Sequence, residues 1–241
     1  MKYVLFILCN IVVLAAEDSA EDLLKSVRHP SLLNSWVKMS GTINYKNKKT
    51  GKRISAPIQL RGRFSRLEMK MQILINKSER FLLAQDFADG FDGSSTLNEK
   101  KAKDPSKSLA SMMIKPDDFT FSFLYWTFKK ELGTERIKTF KCRILLLSHP
   151  KEDEQVKIWI SHKMKAVLKV EWFKGDKFLR RMEFKSTHTI KSSVDSKLRF
   201  SIVKEAEISS KGWRSIIKFK EIGGNVLPEG KKVPEGLFLK D

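Results

Sequence analysis

The feature that most constrains the fold is an alternation of apolar and polar residues with a period of two, which recurs along most of the chain. In the stretch RLEMKMQILI, the odd-numbered residues from 67 to 73 are apolar and the even-numbered residues from 68 to 72 are polar. Successive side chains of a strand point to opposite faces, so this pattern predicts a strand with one apolar and one polar face. About eleven such segments predict a protein built mainly from β-strands.

The segments between the predicted strands are short, turn-like and rich in Gly, Ser, Asp and Lys. Helical segments do not alternate with the strands, which predicts an antiparallel, meandering sheet. An apolar sheet face has to be covered, either by a second sheet or by strong curvature of the same sheet around its contents. Because few helices are predicted, we favour one curved, barrel-like sheet of about eleven strands, with the N-terminal helix and residues 100–128 inside it or across its mouth.

Three segments lack the strand pattern. An N-terminal helix is predicted from Asp18 or Ser19, either of which can cap it, with Pro30 ending it. Residues 94–116 are polar and then Met-rich, which is typical of a mobile loop with a short helix. The tail from about 223 to 241 contains too much Gly and Pro for a strand or helix.

The stretch SLASMMIKPDDFTFSFLYWTF, residues 108–128, has two interpretations. The alternation of Phe and Tyr from 119 to 125 is typical of a strand. Pro116 followed by two Asp residues also fits the first turn of a helix.

The N-terminus is typical of a secretory signal peptide at residues 1–16, with Lys2, an apolar run and then Ala15 and Ala16. The run is short for a membrane span. Cleavage would leave residues 17–241 as one domain and Cys142 as the only cysteine, which cannot form an internal disulfide. We interpret Cys142 as a small buried hydrophobic residue.

The formal net charge of +19 favours anionic partners such as membrane headgroups or acidic proteins. The predicted secretion argues against nucleic acid. The aromatic residues also alternate away from the basic ones, whereas a single-strand nucleic-acid surface interleaves the two.

Recognisable catalytic and metal-binding patterns are absent from the sequence. The four histidines lack the spacing of metal ligands: His29, His149, His162 and His188. There is no nucleophile elbow, phosphate-binding loop or dinucleotide fingerprint. The sequence therefore predicts a protein that is not an enzyme and that has no cofactor or metal.

Methionine is suited to surfaces that accept variable apolar shapes, and it also fills ordinary cores. Met69 and Met71 lie on the apolar face of a predicted strand, and Met112 and Met113 lie at the end of the predicted loop. Both interpretations, core and ligand contact, remain open for these four residues.

Several stretches taken in order resemble a known family. They are SWVKMSGTINY after a short amphipathic helix, MMIKPDDFTFSFLYW after the loop, then ELGTERIKTFKCRILLLSHP and VKIWISHKMKAVLKVEWFKGDKFLRRMEF. Together they cover roughly residues 19–222. This order is similar to that of the bacterial outer-membrane lipoprotein-sorting proteins, the LolA/LolB-like carriers.

The resemblance implies an unclosed barrel with helices across its concave face, holding acyl chains of lipoproteins or other lipids in the periplasm as a monomer. Residues 94–128 would then form the lid or plug. The resemblance also implies that an arginine on a strand forms a hydrogen bond with the lid. Arg53, Arg61 and Arg63 on the second predicted strand are candidates, and no local motif distinguishes them. The expected cavity lining is Leu60, Phe64, Leu67, Met69, Met71, Ile73, Met112, Met113, Phe121, Phe123, Leu124, Trp126, Val170 and Trp172.

A second hypothesis needs no cavity. A secreted binding or scaffold module with a packed interior could dock through its basic surface on an acidic partner or an anionic membrane. Such binding would weaken steeply with salt, and acyl probes would find no cavity.

Overall fold

The computed structural model of the protein describes residues 18–28, 34–65, 68–86, 95–193, 195, 199–227 and 233–239. The predicted signal peptide lies outside these ranges. Within them are one α-helix, four short 3₁₀ helices and twelve strands. The helix is α1 (Ala20–Arg28), and the strands are β1 (Ser35–Asn47), β2 (Arg53–Phe64), β3 (Glu68–Ile75), β4 (Glu79–Asp86), β5 (Ser95–Lys100), β6 (Thr127–Ile137), β7 (Phe140–Ser148), β8 (Gln155–Ser161), β9 (Ala166–Lys174), β10 (Lys177–Lys191), β11 (Arg199–Ser210) and β12 (Trp213–Val226).

All twelve strands form one antiparallel sheet in the order β5-β4-β3-β2-β1-β12-β11-β10-β9-β8-β7-β6. The chain runs outward from β1 to one edge, crosses to the other edge and returns until β12 lies beside β1. The rings of Phe64 on β2 and Phe200 on β11 are 6.4 Å apart although two strands separate β2 from β11, so the sheet is curved. The predicted mainly β fold, with one curved, unclosed antiparallel sheet, is confirmed.

One strand was missed in the predicted loop over residues 94–116. Residues Ser95–Lys100 form β5, which pairs with β4 so that Lys100 lies opposite Arg80. This edge strand forms by backbone pairing with β4, and its sequence, STLNEK, carries no apolar alternation. Periodicity therefore could not reveal it.

The predicted irregular tail begins too early, because β12 continues to Val226 through Gly223 and Gly224. A Cβ atom at Gly224 would lie 2.5 Å from the carbonyl oxygen of Trp36. Glycine is the residue that permits this approach of β12 to β1. Residues 233–239 then lie across the outer face of β2 and β3, where the Gln72 amide donates to Leu239 O at 2.9 Å.

Helix α1 begins as its sequence predicts. The Ser19 hydroxyl accepts the backbone N–H of Asp22 at 3.0 Å, and Glu21 and Asp22 occupy the first turn. Its buried residues are Leu23, Leu24 and Val27. This apolar face joins the core that covers the inner face of the sheet.

Between β5 and β6 the chain forms the 3₁₀ segment, residues 105–125, with 3₁₀ helices at Pro105–Lys107, Ala110–Met112, Pro116–Asp118 and Ser122–Tyr125. Two bonds to inner-face residues hold its first half: Ser215 Oγ donates to Met112 O at 2.5 Å, and Leu109 N donates to Glu79 Oε2 at 2.7 Å. The segment thus lies within the curve of the sheet, and the helical interpretation of Pro116–Asp118 agrees with the structure.

Burial raises the pKa of the Glu79 carboxyl, and the charge of Glu99 adds to this, while the Leu109 N–H opposes it. A folded-state pKa above the unfolded value means that stability is lost as the pH rises through the folded pKa. Glu79→Gln keeps an acceptor but carries no charge. We expect the free energy of unfolding, measured with urea, to shift in favour of the variant between about pH 4 and about pH 7. If the difference in free energy of unfolding between the wild-type protein and Glu79→Gln is the same at the two pH values, the pKa of Glu79 is not raised by folding.

Candidate functional site

An apolar cavity of about 250 Å³, the inner cavity, lies between the inner face of the sheet and the 3₁₀ segment. Its walls come from α1, from the second half of the 3₁₀ segment and from both halves of the sheet. The apolar lining consists of Val27, Met39, Leu60, Phe64, Met69, Met71, Phe119, Phe121, Leu124, Met182, Phe184, Phe200, Ile202, Val203, Ala206, Ile217 and Phe219.

A second cavity of about 450 Å³, the side cavity, adjoins the first. The two share wall residues, among them Val27, Phe121, Leu124, Phe184 and Ile202. The pairing of β10 with β9 ends at Glu183, opposite Lys169. Beyond this point β10 has, among the described residues, no partner on its β9 side, and residues 184–187 of β10 border the side cavity. The turns between β6 and β7 and between β8 and β9 complete its wall.

The structure places half of the expected lining residues at these cavities. Leu60, Phe64, Met69 and Met71 line the inner cavity, Phe123 lines the side cavity, and Phe121 and Leu124 line both. Phe121 has a left-handed backbone, with φ of 55°. Its ring packs edge-on against Phe184 at 5.4 Å, and both residues line both cavities.

The remaining expected residues line neither cavity. Ile73, Met112 and Val170 are fully buried among core side chains. Trp126 packs edge-on against His149 at 4.8 Å, and Trp172 against Phe123 at 5.2 Å. Met113 itself has a left-handed backbone, with φ of 59°, and is 45% exposed. Leu67 lies outside the described residues.

Sequence reasoning missed the contribution of the last three strands. Met182, Phe200, Ile217 and Phe219 lie on the apolar faces of β10, β11 and β12. Their alternation with charged residues was visible in the sequence. What the sequence did not show is that β11 curves to face β2, which brings these side chains opposite Leu60 and Phe64.

Arg28 joins α1 to the 3₁₀ segment. Its guanidinium donates to Leu124 O and to Trp126 O, both at 2.7 Å, and the Tyr125 hydroxyl donates to Arg28 O at 2.6 Å. Burial raises the pKa of Tyr125 to about 12 and lowers the pKa of Arg28. The Tyr125 hydroxyl therefore keeps its proton at neutral pH and remains a donor to Arg28 O.

A buried ion pair holds the 3₁₀ segment to the sheet. The Arg180 guanidinium on β10 donates two bonds of 2.7 Å to the Asp118 carboxylate, and the same carboxylate accepts the N–H of Lys115 at 2.9 Å. The side chains of Asp118 and Arg180 are 3% and 12% exposed. Arg180 also stacks on Trp172, 4.4 Å from the ring centroid.

The arginine that fastens the 3₁₀ segment is thus Arg180, outside the three candidates on β2. Arg61 donates to Leu237 O at 3.1 Å, on the outer face. Arg63 lies 3.8 Å from Glu68, and Arg53 is exposed at the start of its strand. Sequence alone could not pair Asp118 with Arg180, because 62 residues separate them.

The described residues contain no group of three His, Cys, Asp or Glu side chains able to hold a metal ion. His149 accepts the backbone N–H groups of Lys151 and Glu152, so it organises a turn. Burial raises the pKa of the Cys142 thiol, which keeps it protonated. In the described part of the chain, none of the helices has the length and apolar character needed to span a membrane.

No family model and no curated protein sequence matches the chain. Several solved structures are similar in fold, and three of them represent the group. A putative outer membrane lipoprotein-sorting protein domain from Vibrio parahaemolyticus has a TM-score of 0.60 at 10% identity, covering 86% of this chain and 93% of that one. A DUF1329 family protein from Desulfovibrio piger has a TM-score of 0.57 at 11% identity, and the match covers 83% of this chain and 90% of that one.

A LolA superfamily protein from Nitrosomonas europaea has a TM-score of 0.52 at 12% identity, and the match covers 92% of this chain and 97% of that one. In each case the similarity extends over most of both chains. The similar structures include two named for lipoprotein sorting or for the LolA superfamily, as the sequence resemblance implied. The chain therefore has the open-barrel fold of the lipoprotein-sorting and LolA-like proteins.

Proposed function

We propose that the protein is a periplasmic carrier that binds acyl chains of lipoproteins or other lipids and moves them towards the outer membrane. The observation that carries this proposal is the inner cavity, an apolar space between the curved sheet and the 3₁₀ segment. Each acyl methylene buried there would contribute about 0.8 kcal/mol. Binding would thus come from burial and would need no catalytic group.

The cavity wall suits chains of variable shape. Met39, Met69, Met71 and Met182 supply flexible, polarizable surface on opposite sides of the space. In this proposal the 3₁₀ segment acts as the lid, since it covers the inner face and is fastened by Asp118 and Arg180. Release of the lid would expose the cavity to a partner or a membrane.

The alternative, a module with a packed interior that docks through its basic surface, would leave no apolar space for a ligand. Two cavities with apolar walls favour the carrier. The two functions predict different behaviour: docking on anionic vesicles weakens with salt, and uptake of a neutral acyl probe does not.

The test is binding of a fluorescent fatty acid and of its neutral methyl ester, at low and high salt, together with native mass spectrometry and lipid extraction of the purified protein. Ile202 lines both cavities, so Ile202→Trp should fill the space and reduce probe uptake about tenfold, the loss expected when a few methylenes are excluded. Ile222→Trp is the matched control, because Ile222 is also partly buried against the core but lines neither cavity.

The proposal predicts a bound amphiphile in the purified protein and a loss of uptake in Ile202→Trp alone. Equal losses in both variants would indicate a general loss of packing. Absence of both a bound amphiphile and probe uptake would rule out the carrier function.

A further inference from the structure

The side cavity has apolar walls and a basic rim. Its apolar residues include Ile137, Phe140 and Val167, while Lys138, Lys165 and Lys185 also line it. The inner cavity has no lysine in its wall, and the guanidinium of Arg28, which does line it, already donates to Leu124 O and Trp126 O. The two cavities therefore differ in the headgroup chemistry that their openings favour.

The rim is fixed by the backbone of the strands around it. Lys138 and Lys165 lie in left-handed turns, with φ of 55° and 46°. Lys185 occupies an irregularity of β10, since the pairing with β11 passes from Phe184 directly to Ser186. Lys138 Nζ donates to the carbonyl oxygen of Lys185 at 3.1 Å, which brings two of the lysines together.

Positive charge exceeds negative charge at this rim. Lys165 pairs with Asp18, and Lys185 pairs with Glu183 and lies 3.9 Å from Glu207. Two of these carboxylates also have a second cationic neighbour: Arg181 at 3.3 Å from Glu183, and Arg214 at 3.9 Å from Glu207.

Lys138 differs from the other two lysines. Among the described residues, no carboxylate lies within 4.0 Å of its ammonium group, so no ion pair offsets its charge. It therefore adds an unneutralised positive charge where the apolar wall of the side cavity begins.

We propose that the side cavity takes the chain of an anionic lipid, with the carboxylate or phosphate of the headgroup at the lysine rim. This inference rests on the proposed function, since it requires that the protein binds acyl chains. A chain whose ester or amide link leads to an uncharged group offers no anion near the rim, so the lysines would add little to its binding. A fatty acid or an anionic phospholipid carries its charge next to the chain, where the rim lies. The volume of about 450 Å³ lies within the usual range for small-ligand sites.

The experiment compares two single-chain lipids with the same 16-carbon chain, lysophosphatidylglycerol and lysophosphatidylcholine, by displacement of the fluorescent fatty acid. The wild-type protein should bind the anionic lipid about tenfold more tightly, the effect of a few partly exposed charge pairs. Palmitate and its methyl ester form the corresponding pair for a carboxylate headgroup.

The variant Lys138→Gln, Lys165→Gln, Lys185→Gln should lose this preference, with a smaller change in its affinity for lysophosphatidylcholine, because the choline of that lipid offsets the charge of its phosphate. The control has the same change in charge at three exposed lysines that line neither cavity: Lys46→Gln, Lys48→Gln, Lys52→Gln. Lys138→Gln alone breaks no ion pair between side chains, so a smaller loss in this variant identifies the rim even if the triple variant folds poorly.

Equal affinity of the wild-type protein for both members of each lipid pair would overturn this inference and leave the proposed function standing. A preference that falls equally in the control variant would also overturn it, because the overall charge would then be its cause. If no acyl probe binds at all, the proposed function itself is wrong. A preference seen only with palmitate, or only with lysophosphatidylglycerol, would support the rim and identify its headgroup.

Discussion

Arg180→Ala should destabilise the protein by about 3–5 kcal/mol, because the Asp118 carboxylate would remain buried without its partner. Asp118 is 3% exposed and accepts both of its charged bonds from Arg180. The remaining hydrogen bond, from Lys115 N, is a single bond from a neutral donor and cannot compensate for two bonds from a charged guanidinium. The 3₁₀ segment should therefore separate from β10 and expose the cavities. Urea unfolding measures the loss of stability, and amide hydrogen exchange over residues 115–126 measures the opening.

The control is the adjacent residue. Arg181 forms an exposed pair with Glu183, at 3.3 Å with side chains 46% and 27% exposed. Arg181→Ala should change the free energy of unfolding by less than about 1 kcal/mol and leave hydrogen exchange in the 3₁₀ segment unchanged. If the two variants behave alike, the ion pair of Asp118 with Arg180 does not hold the segment.

Gly41→Ala should cost about 3 kcal/mol, the upper end of the usual range for overpacked sites. Gly41 lies at a register shift between β1 and β12, in the centre of the sheet. A Cβ atom there would lie 2.1 Å from the carbonyl oxygen of Lys218 and 2.7 Å from Phe219 Cα. Both are backbone atoms, so the strands would have to move apart. Thermal and urea unfolding should both report the loss.

Gly223→Ala is the matched control, because Gly223 lies in the same pair of strands. A Cβ atom at this position would meet only Lys38 O, at 3.8 Å, which is an ordinary van der Waals distance. We expect a change within about 0.5 kcal/mol. Equal destabilisation by the two substitutions would show that the loss of glycine itself, and not the close approach of the strands, is responsible.

The sequence predicted those elements whose residues repeat one pattern. The strand β3 alternates cleanly, and its Met69 and Met71 lie on the inner face as the period of two requires. Helix α1 was predicted from its cap and its apolar face. The edge strand β5 was missed because its polar sequence carries no alternation, and β12 was ended too early at Gly223 because glycine weakens a strand prediction.

The cavity-lining residues were predicted correctly on β2, on β3 and within residues 121–124. Those on β10, β11 and β12 were not predicted. Periodicity tells which face of a strand is apolar but not which part of that face borders empty space. Ile73 and Met71 share a face of β3, yet Ile73 is packed in the core and Met71 lines the inner cavity. The contact of Asp118 with Arg180, and the position of β11 opposite β2, depend on the curvature of the whole sheet, which no local pattern shows.

The position of β1 beside β12 has a consequence for folding. The Ser40 hydroxyl donates to Glu221 Oε2 at 2.5 Å, although 181 residues separate them in sequence. Consecutive hairpins can assemble β1 to β5 and β6 to β12 from local contacts, whereas the central ladder requires closure of a loop that spans most of the chain. Topologies dominated by such distant pairings fold slowly. The two halves of the barrel are thus expected to form as separate hairpin arrays, with their joining at β1 and β12 as the rate-limiting event.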